Sequence, residues 1–144
     1  TGAIVAAVIA LFASVGMSAA YWSMQGSGSG SSTAGAGTSL VLAASFPSGI
    51  YPGGEETVTF TIDNPNDFAV HVATISLSGV TVDAAHAGCS VADFTMATVT
   101  TDETVAAGAL DHELTAVGTL RFANTAQNQD ACKGAVITLA LTSA

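Results

Sequence analysis

From residue 39 onward apolar and polar residues alternate in short stretches, whereas residues 2–24 are apolar with no polar counterface, so two kinds of element are expected in one chain. The alternation is plainest at 55–63, where Val58, Phe60 and Ile62 interleave with Thr57, Thr59 and Thr61. A period of two puts each set on its own face of a strand, one buried and one wet. Similar runs predict strands at about 39–46, 69–78, 91–100, 112–122 and 135–142. Pro-Gly-Gly at 52–54 and Asn-Pro-Asn-Asp at 64–67 supply turns. Short strands with no amphipathic helix between them predict an all-β, immunoglobulin-like sandwich. Its expected core is Leu40, Leu42, Phe46, Val58, Phe60, Ile62, Val70, Val72, Ile75, Leu77, Phe94, Leu114, Leu120, Phe122, Ile137, Leu139 and Leu141.

The first segment follows another rhythm. Residues 2–24 hold no charge, Pro, Asn or Asp, and as an α-helix they would extend about 34 Å, near the thickness of a bilayer's hydrocarbon core. Ala3, Ala6, Ala7, Ala10, Ala13 and Gly16 recur at helical spacings that permit close helix-to-helix approach, interleaved with Ile4, Val5, Val8, Ile9, Leu11, Phe12 and Val15. A helix apolar all round must be covered on every side, by lipid or by copies of itself. Tyr21 and Trp22 stand at its end, where amphipathic aromatics favour a membrane–water interface. Residues 25–38 are a Gly/Ser-rich linker with a root-mean-square reach of about 20 Å if free. The expected organisation is therefore a hydrophobic helix at 1–24, a linker at 25–38 and a β-sandwich head at 39–144.

Charge sharpens that division. Glu55 is the first charged residue, so both cations, Arg121 and Lys133, and all 11 carboxylates belong to the head, for a net charge of −9. With two cations there is no basic surface to neutralise phosphates, which removes nucleic acid from the expected partners. Charged residues are 9% of the chain and hydrophobic ones 49%, too apolar for a disordered tail.

Cys89 and Cys132 are the whole thiol inventory and, in a chain of extracytoplasmic composition, are expected to form a disulfide. Closing a loop of this length would stabilise by about 4 kcal/mol on the chain-entropy model. Neither cysteine has a second Cys or a His at ligand spacing, so no metal is expected there. The turn Asp63-Asn-Pro-Asn-Asp67 carries oxygens suited to calcium but lacks the Gly and distal Glu of an EF-hand loop. His71, His86 and His112 stand apart, and Asp111-His112-Glu113 would alternate faces on a strand. No nucleophile elbow, paired Glu-x-x-His or phosphate-cradling loop appears, so neither enzyme activity, cofactor nor small-molecule substrate is expected.

The order of parts, an uncharged helix, a break and a β-sandwich head, resembles archaeal-type pilins and archaellins of the type IV filament superfamily. The resemblance implies a basic leader removed by a prepilin peptidase, a helix retained on the mature subunit, and helices bundled at the filament core. The absence of an initial methionine is read as such processing. Val5 stands where most bacterial type IV pilins carry a glutamate. A second, local resemblance rests on Tyr51-Pro-Gly-Gly54, Thr57 to Asn66, Gly88-Cys-Ser-Val-Ala-Asp-Phe94, Cys132-Lys-Gly134, Ala20-Tyr-Trp22 and the Gly-Ser stretch at 26–30. These are similar to small secreted β-sandwich proteins of Gram-positive bacteria, with a signal segment like that of TasA- and camelysin-type biofilm fibres. In those the segment is normally removed, and Ser18-Ala-Ala20 would suit such a cut.

The adopted expectation is a cell-surface filament subunit serving adhesion or attachment. Its helix, packing through Ile4, Ala6, Ala7, Val8, Ala10, Leu11, Phe12, Ala13, Val15 and Gly16, sits in the membrane before assembly and among identical subunits afterwards. The alternatives are a secreted matrix fibre or membrane-anchored surface protein whose subunits join by strand donation, and an adhesin that never polymerises.

Overall fold

The computed structural model of this chain describes residues 36–144. The expected helix at 1–24 and residues 25–35 of the linker lie outside the described residues. Among the described residues no helix is long and apolar enough to cross a membrane.

The head is all-β, in two sheets. Its strands are β1 (Val41–Ser45), β2 (Glu55–Asp63), β3 (Val70–Val82), β4 (Phe94–Met96), β5 (Val99–Val105), β6 (His112–Glu113), β7 (Gly118–Phe122) and β8 (Ile137–Ser143). The larger sheet runs β1-β2-β7-β4, with β6 pairing beside β7 on β2, and the smaller runs β5-β3-β8. Every pairing is antiparallel. The threonine alternation of β2 explains its central place. Val58, Phe60 and Ile62 are fully buried and meet Leu120, Phe122 and Phe94 of their own sheet and Val72, Ile75 and Val105 of the other. Phe94 and Phe122 stack at 4.3 Å between ring centroids, an arrangement that adds about 0.5–1.5 kcal/mol beyond area burial.

Two expected strands are each two strands. The run at 91–100 opens as a 3-10 turn at Val91–Asp93, pairs as β4 with β7, then crosses to the other sheet and pairs as β5 with β3. The run at 112–122 breaks at 114–117. There Leu114 is buried and donates its N–H to the Phe60 carbonyl at 3.0 Å, one step further in the β2–β6 register, and the chain leaves the ladder only after it. It rejoins at Gly118, where an added Cβ would lie 2.7 Å from Met96 Sδ and 2.9 Å from Phe60 Cζ. Only a residue without a side chain lets β7 lie this close to the core ring.

The expected core is fully buried at its centre and half-buried on one flank. Leu40, Leu42, Phe46, Val70, Leu77, Ile137, Leu139 and Leu141 are only partly covered. Most belong to β1 and β8, which border the two sheets on the same side of the head, or to their flanking residues. Val105, not expected in the core, is fully buried.

Replacing Gly118 with Ala is expected to lower stability by about 1–3 kcal/mol through overpacking against Phe60 and Met96. Urea unfolding followed by tryptophan-independent far-UV signal measures it, and an unchanged midpoint would mean that β7 does not approach the core so closely.

Candidate linker dock and assembly surface

The head has two dissimilar ends. At one end the last linker residues meet the turn after β2 and the loop after β5. Asn64 is fully buried there, and its Nδ2 donates to the carbonyls of Phe68 (2.9 Å), Ala106 (2.9 Å) and Val105 (3.2 Å). Its Oδ1 accepts the backbone N–H and the side-chain Nδ2 of Asn66, at 3.1 and 2.9 Å. Asn66 in turn grips the linker. Thr38 donates its N–H to Asn66 Oδ1 at 2.7 Å, and Asn66 Nδ2 donates to the Thr38 carbonyl at 2.8 Å. The carboxamide thus pairs with a peptide unit as a neighbouring strand would. Asparagine suits both positions because its short neutral carboxamide offers two N–H donors and an acceptor oxygen, where a Ser or Thr hydroxyl has one O–H. The chain leaves this dock directly into β1.

This turn, Asp63 to Asp67, is the segment whose oxygens suit calcium by type. Its amide oxygens are engaged by Asn66 and Thr38, and Asp63 Oδ1 accepts the N–H of Asp111 at 2.7 Å. Among the described residues no group of three or more His, Cys, Asp or Glu is placed to hold a metal.

The far end is irregular chain held by cross-links. Cys89 and Cys132 form the expected disulfide, with Cα atoms 4.6 Å apart. Gln129 Nε2 donates to Asp93 Oδ2 and to the Ala123 carbonyl, both at 2.8 Å, tying the loop after β7 to the turn before β4. Asp83 Oδ1 accepts the N–H of Val136 at 2.7 Å and faces His86 Nδ1 at 2.9 Å.

Each histidine meets one carboxylate, a partnership that sequence spacing signals only for Asp83 and His86. His71 Nε2 lies 3.2 Å from Asp102, and His112 Nε2 lies 2.7 Å from Glu103 Oε1. Glu103 also accepts from Thr115, from the hydroxyl at 2.8 Å and the N–H at 3.2 Å. The Thr115 hydroxyl first, and then His112, hold its carboxyl below the ordinary value of 4.5. His86 chiefly, with the Val136 N–H, lowers Asp83 in the same way.

The sheet edges differ in chemistry. β5 carries Asp102 and Glu103, with Asp102 at a positive φ of 49° and a register shift in its pairing with β3; β4 is three residues long. Charge, irregularity and shortness are the devices that keep edge strands from pairing with other chains. β1 and β8 carry none of them. Residues 36–54 and 134–144 contain no charged side chain, so the strands along this flank are neutral on a head of net charge −9, with Asp83, bonded to the Val136 N–H and paired with His86, at its corner. An open cleft of about 530 Å³ lies along it, lined by Phe46, Ile50, Phe94, Phe122, Val136 and Ile137. Val41 and Val136 stand 58% and 65% exposed on this side.

Of the sequence-expected site residues, the structure brings Cys89 and Cys132 together. Ile4, Ala6, Ala7, Val8, Ala10, Leu11, Phe12, Ala13, Val15 and Gly16, with Tyr21 and Trp22, lie outside the described residues. The Asn64–Asn66 dock and the neutral flank were not anticipated. The only signals for them are two asparagines beside a proline between apolar strands, and the lack of charge before Glu55 and after Lys133.

Asn64→Ala is expected to cost about 1–3 kcal/mol for each buried group left without a partner. Asn64→Asp should do no better, since a carboxylate cannot donate to three carbonyls; thermal unfolding of both variants checks this. Acid should also destabilise the head. A carboxyl held low when folded binds fewer protons than when unfolded, so its contribution is complete above its ordinary value and is lost as pH falls towards the lowered one. The melting temperature should therefore drop below pH 4.5, and Glu103→Gln should flatten the slope in that window. No protein-family model, curated protein or solved structure matches this chain.

Proposed function

We propose that this chain is a structural subunit of an extracellular, cell-surface filament, with its apolar segment packed among identical segments in the filament core and its β head facing solvent, serving adhesion or attachment. The observation that carries the reading is the partition of charge. No charged residue occurs before Glu55, so one end of the chain suits only an apolar surrounding while the other, at −9, suits water. The dock adds a polarity that fits. Thr38 is fixed at one end of the head and the disulfide closes the other.

The strand order supports an immunoglobulin-like reading of the head. β1-β2-β7-β4 corresponds to the four-strand sheet of that fold, and β3-β8 to two of the three strands of its partner sheet. In that scheme the last strand would flank β8, where no strand pairs among the described residues.

Side chains such as Ile4, Val8, Leu11 and Phe12 gain about 1.5–3 kcal/mol each on leaving water, and lipid already supplies most of this. Self-association therefore depends on close approach at the Ala and Gly positions and on contacts between heads. A heterologous contact repeated along an axis gives a helical filament. The neutral edges favour the second reading, a matrix fibre or anchored surface protein joined by strand addition.

Ala10→Glu would put an unpaired charge in an apolar core. Electron microscopy of surface shear fractions is expected to show filaments for the parent chain and none for the variant. Normal filaments in the variant would place the segment outside any filament interior and overturn the proposal.

A further inference from the structure

We infer that the outer edge of β8 is a self-recognition surface, pairing antiparallel with β8 of a second copy so that two three-stranded sheets become one continuous sheet of six. The inference is independent of the filament reading, because it rests on the head alone.

The edge is open. β8 pairs with β3 along its length, from Ile137 opposite Val82 to Ser143 opposite Ile75, and among the described residues nothing pairs with its other side. The register shift in this pairing lies in β3, between Leu77 and Gly79, which leaves β8 itself regular. Ile137, Leu139 and Leu141 point to the core side and are half-buried, while Thr138, Ala140 and Thr142 are exposed. Such a strand offers a full row of backbone donors and acceptors with no charge, proline or bulge to deter a partner.

The sequence of the strand says which partner fits. Thr138-Leu139-Ala140-Leu141-Thr142 reads the same in both directions. Two antiparallel copies centred on Ala140 therefore set Leu139 opposite Leu141 on the core side and Thr138 opposite Thr142 on the outer side, each pair occurring twice. Like meets like on both faces, and threonine and aliphatic pairs are favourable cross-strand neighbours. A two-fold contact requires this self-complementarity. Ala140 at the axis, facing its own copy, is small enough to permit close approach.

Electrostatics selects the same flank. Two heads at −9 repel wherever their charged surfaces face each other, and β5 brings Asp102 and Glu103 to the opposite edge of its sheet. The stretches 36–54 and 134–144 that build this flank carry no charged side chain, and Asp83 at its corner is already paired with His86. Approach there also covers Val136, which this register places beside Ala144 of the second copy, and narrows the mouth of the open cleft.

The test uses the full chain in mild detergent with single cysteines added to β8, the native pair being closed in its disulfide. Across an antiparallel pair, opposed Cα atoms lie about 4.5–5.5 Å apart, within disulfide reach. Ala140→Cys is expected to form a covalent dimer under mild oxidation. Thr138→Cys alone should not, whereas Thr138→Cys mixed with Thr142→Cys should. As a second measurement, Ala140→Asp and Ala140→Lys should each lose the two-copy association of the heads, and an equimolar mixture should regain it, read by chemical cross-linking of the head. Ala140→Cys remaining single, Thr138→Cys linking to itself as readily, or a linkage mapped to a residue outside β8 would each overturn the inference. In an Ala10→Glu background the Ala140→Cys linkage should persist, so loss of filaments and loss of this contact are separately visible.

Discussion

The head depends on a solved problem of buried polarity. Three stretches of irregular backbone, the turn after β2, the loop after β5 and the last residues of the linker, converge on one end of the sandwich, and their carbonyls would be costly to bury without donors. Asn64 supplies donors to two of them and hands its own oxygen to Asn66, which holds the third. Because the network is neutral, it needs no counter-charge inside the fold. Because both polar atoms of the Asn66 carboxamide engage Thr38, the last residue of the linker is held as part of the folded head.

From that end the two sheets run towards a region with little regular structure, where covalent and polar ties take over from strand pairing. The disulfide, Gln129 and Asp83 each join segments remote in sequence. The sides of the sandwich are equally unlike. One is bordered by a charged, irregular strand and a very short one, the other by two smooth neutral strands. A head of this construction is defended against indiscriminate edge pairing on one side and receptive on the other.

Much of this was legible in the chain, for reasons that differ by element. β2 lies where its alternation places it, residue for residue, because one face is wholly buried and the other wet. The disulfide followed from a lone, widely spaced pair of cysteines. The run at 91–100 looked like a single strand because period two fixes which face a side chain takes but not which sheet the backbone joins; Phe94 and Val105 are both buried although the chain has changed sheets between them. Val105 was hidden among Thr, Asp and Glu. Leu139 and Leu141 have the pattern of core residues and are half-covered because β8 borders its sheet. The asparagine dock has the local sequence of a plain turn, and nothing in that spacing reveals that a carboxamide will meet carbonyls some 40 residues away.

The two cations have a consequence of their own. Arg121 lies 3.0 Å from Glu55 and Lys133 lies 2.6 Å from Asp130, so each is already matched to a carboxylate and the surplus negative charge is left to the rest of the surface. Wherever many such heads crowd together they behave as a polyanionic coat. The layer draws in mobile cations, and at physiological ionic strength its repulsion fades beyond about 8 Å, so the spacing tolerated between neighbours is tuned by the salinity of the medium.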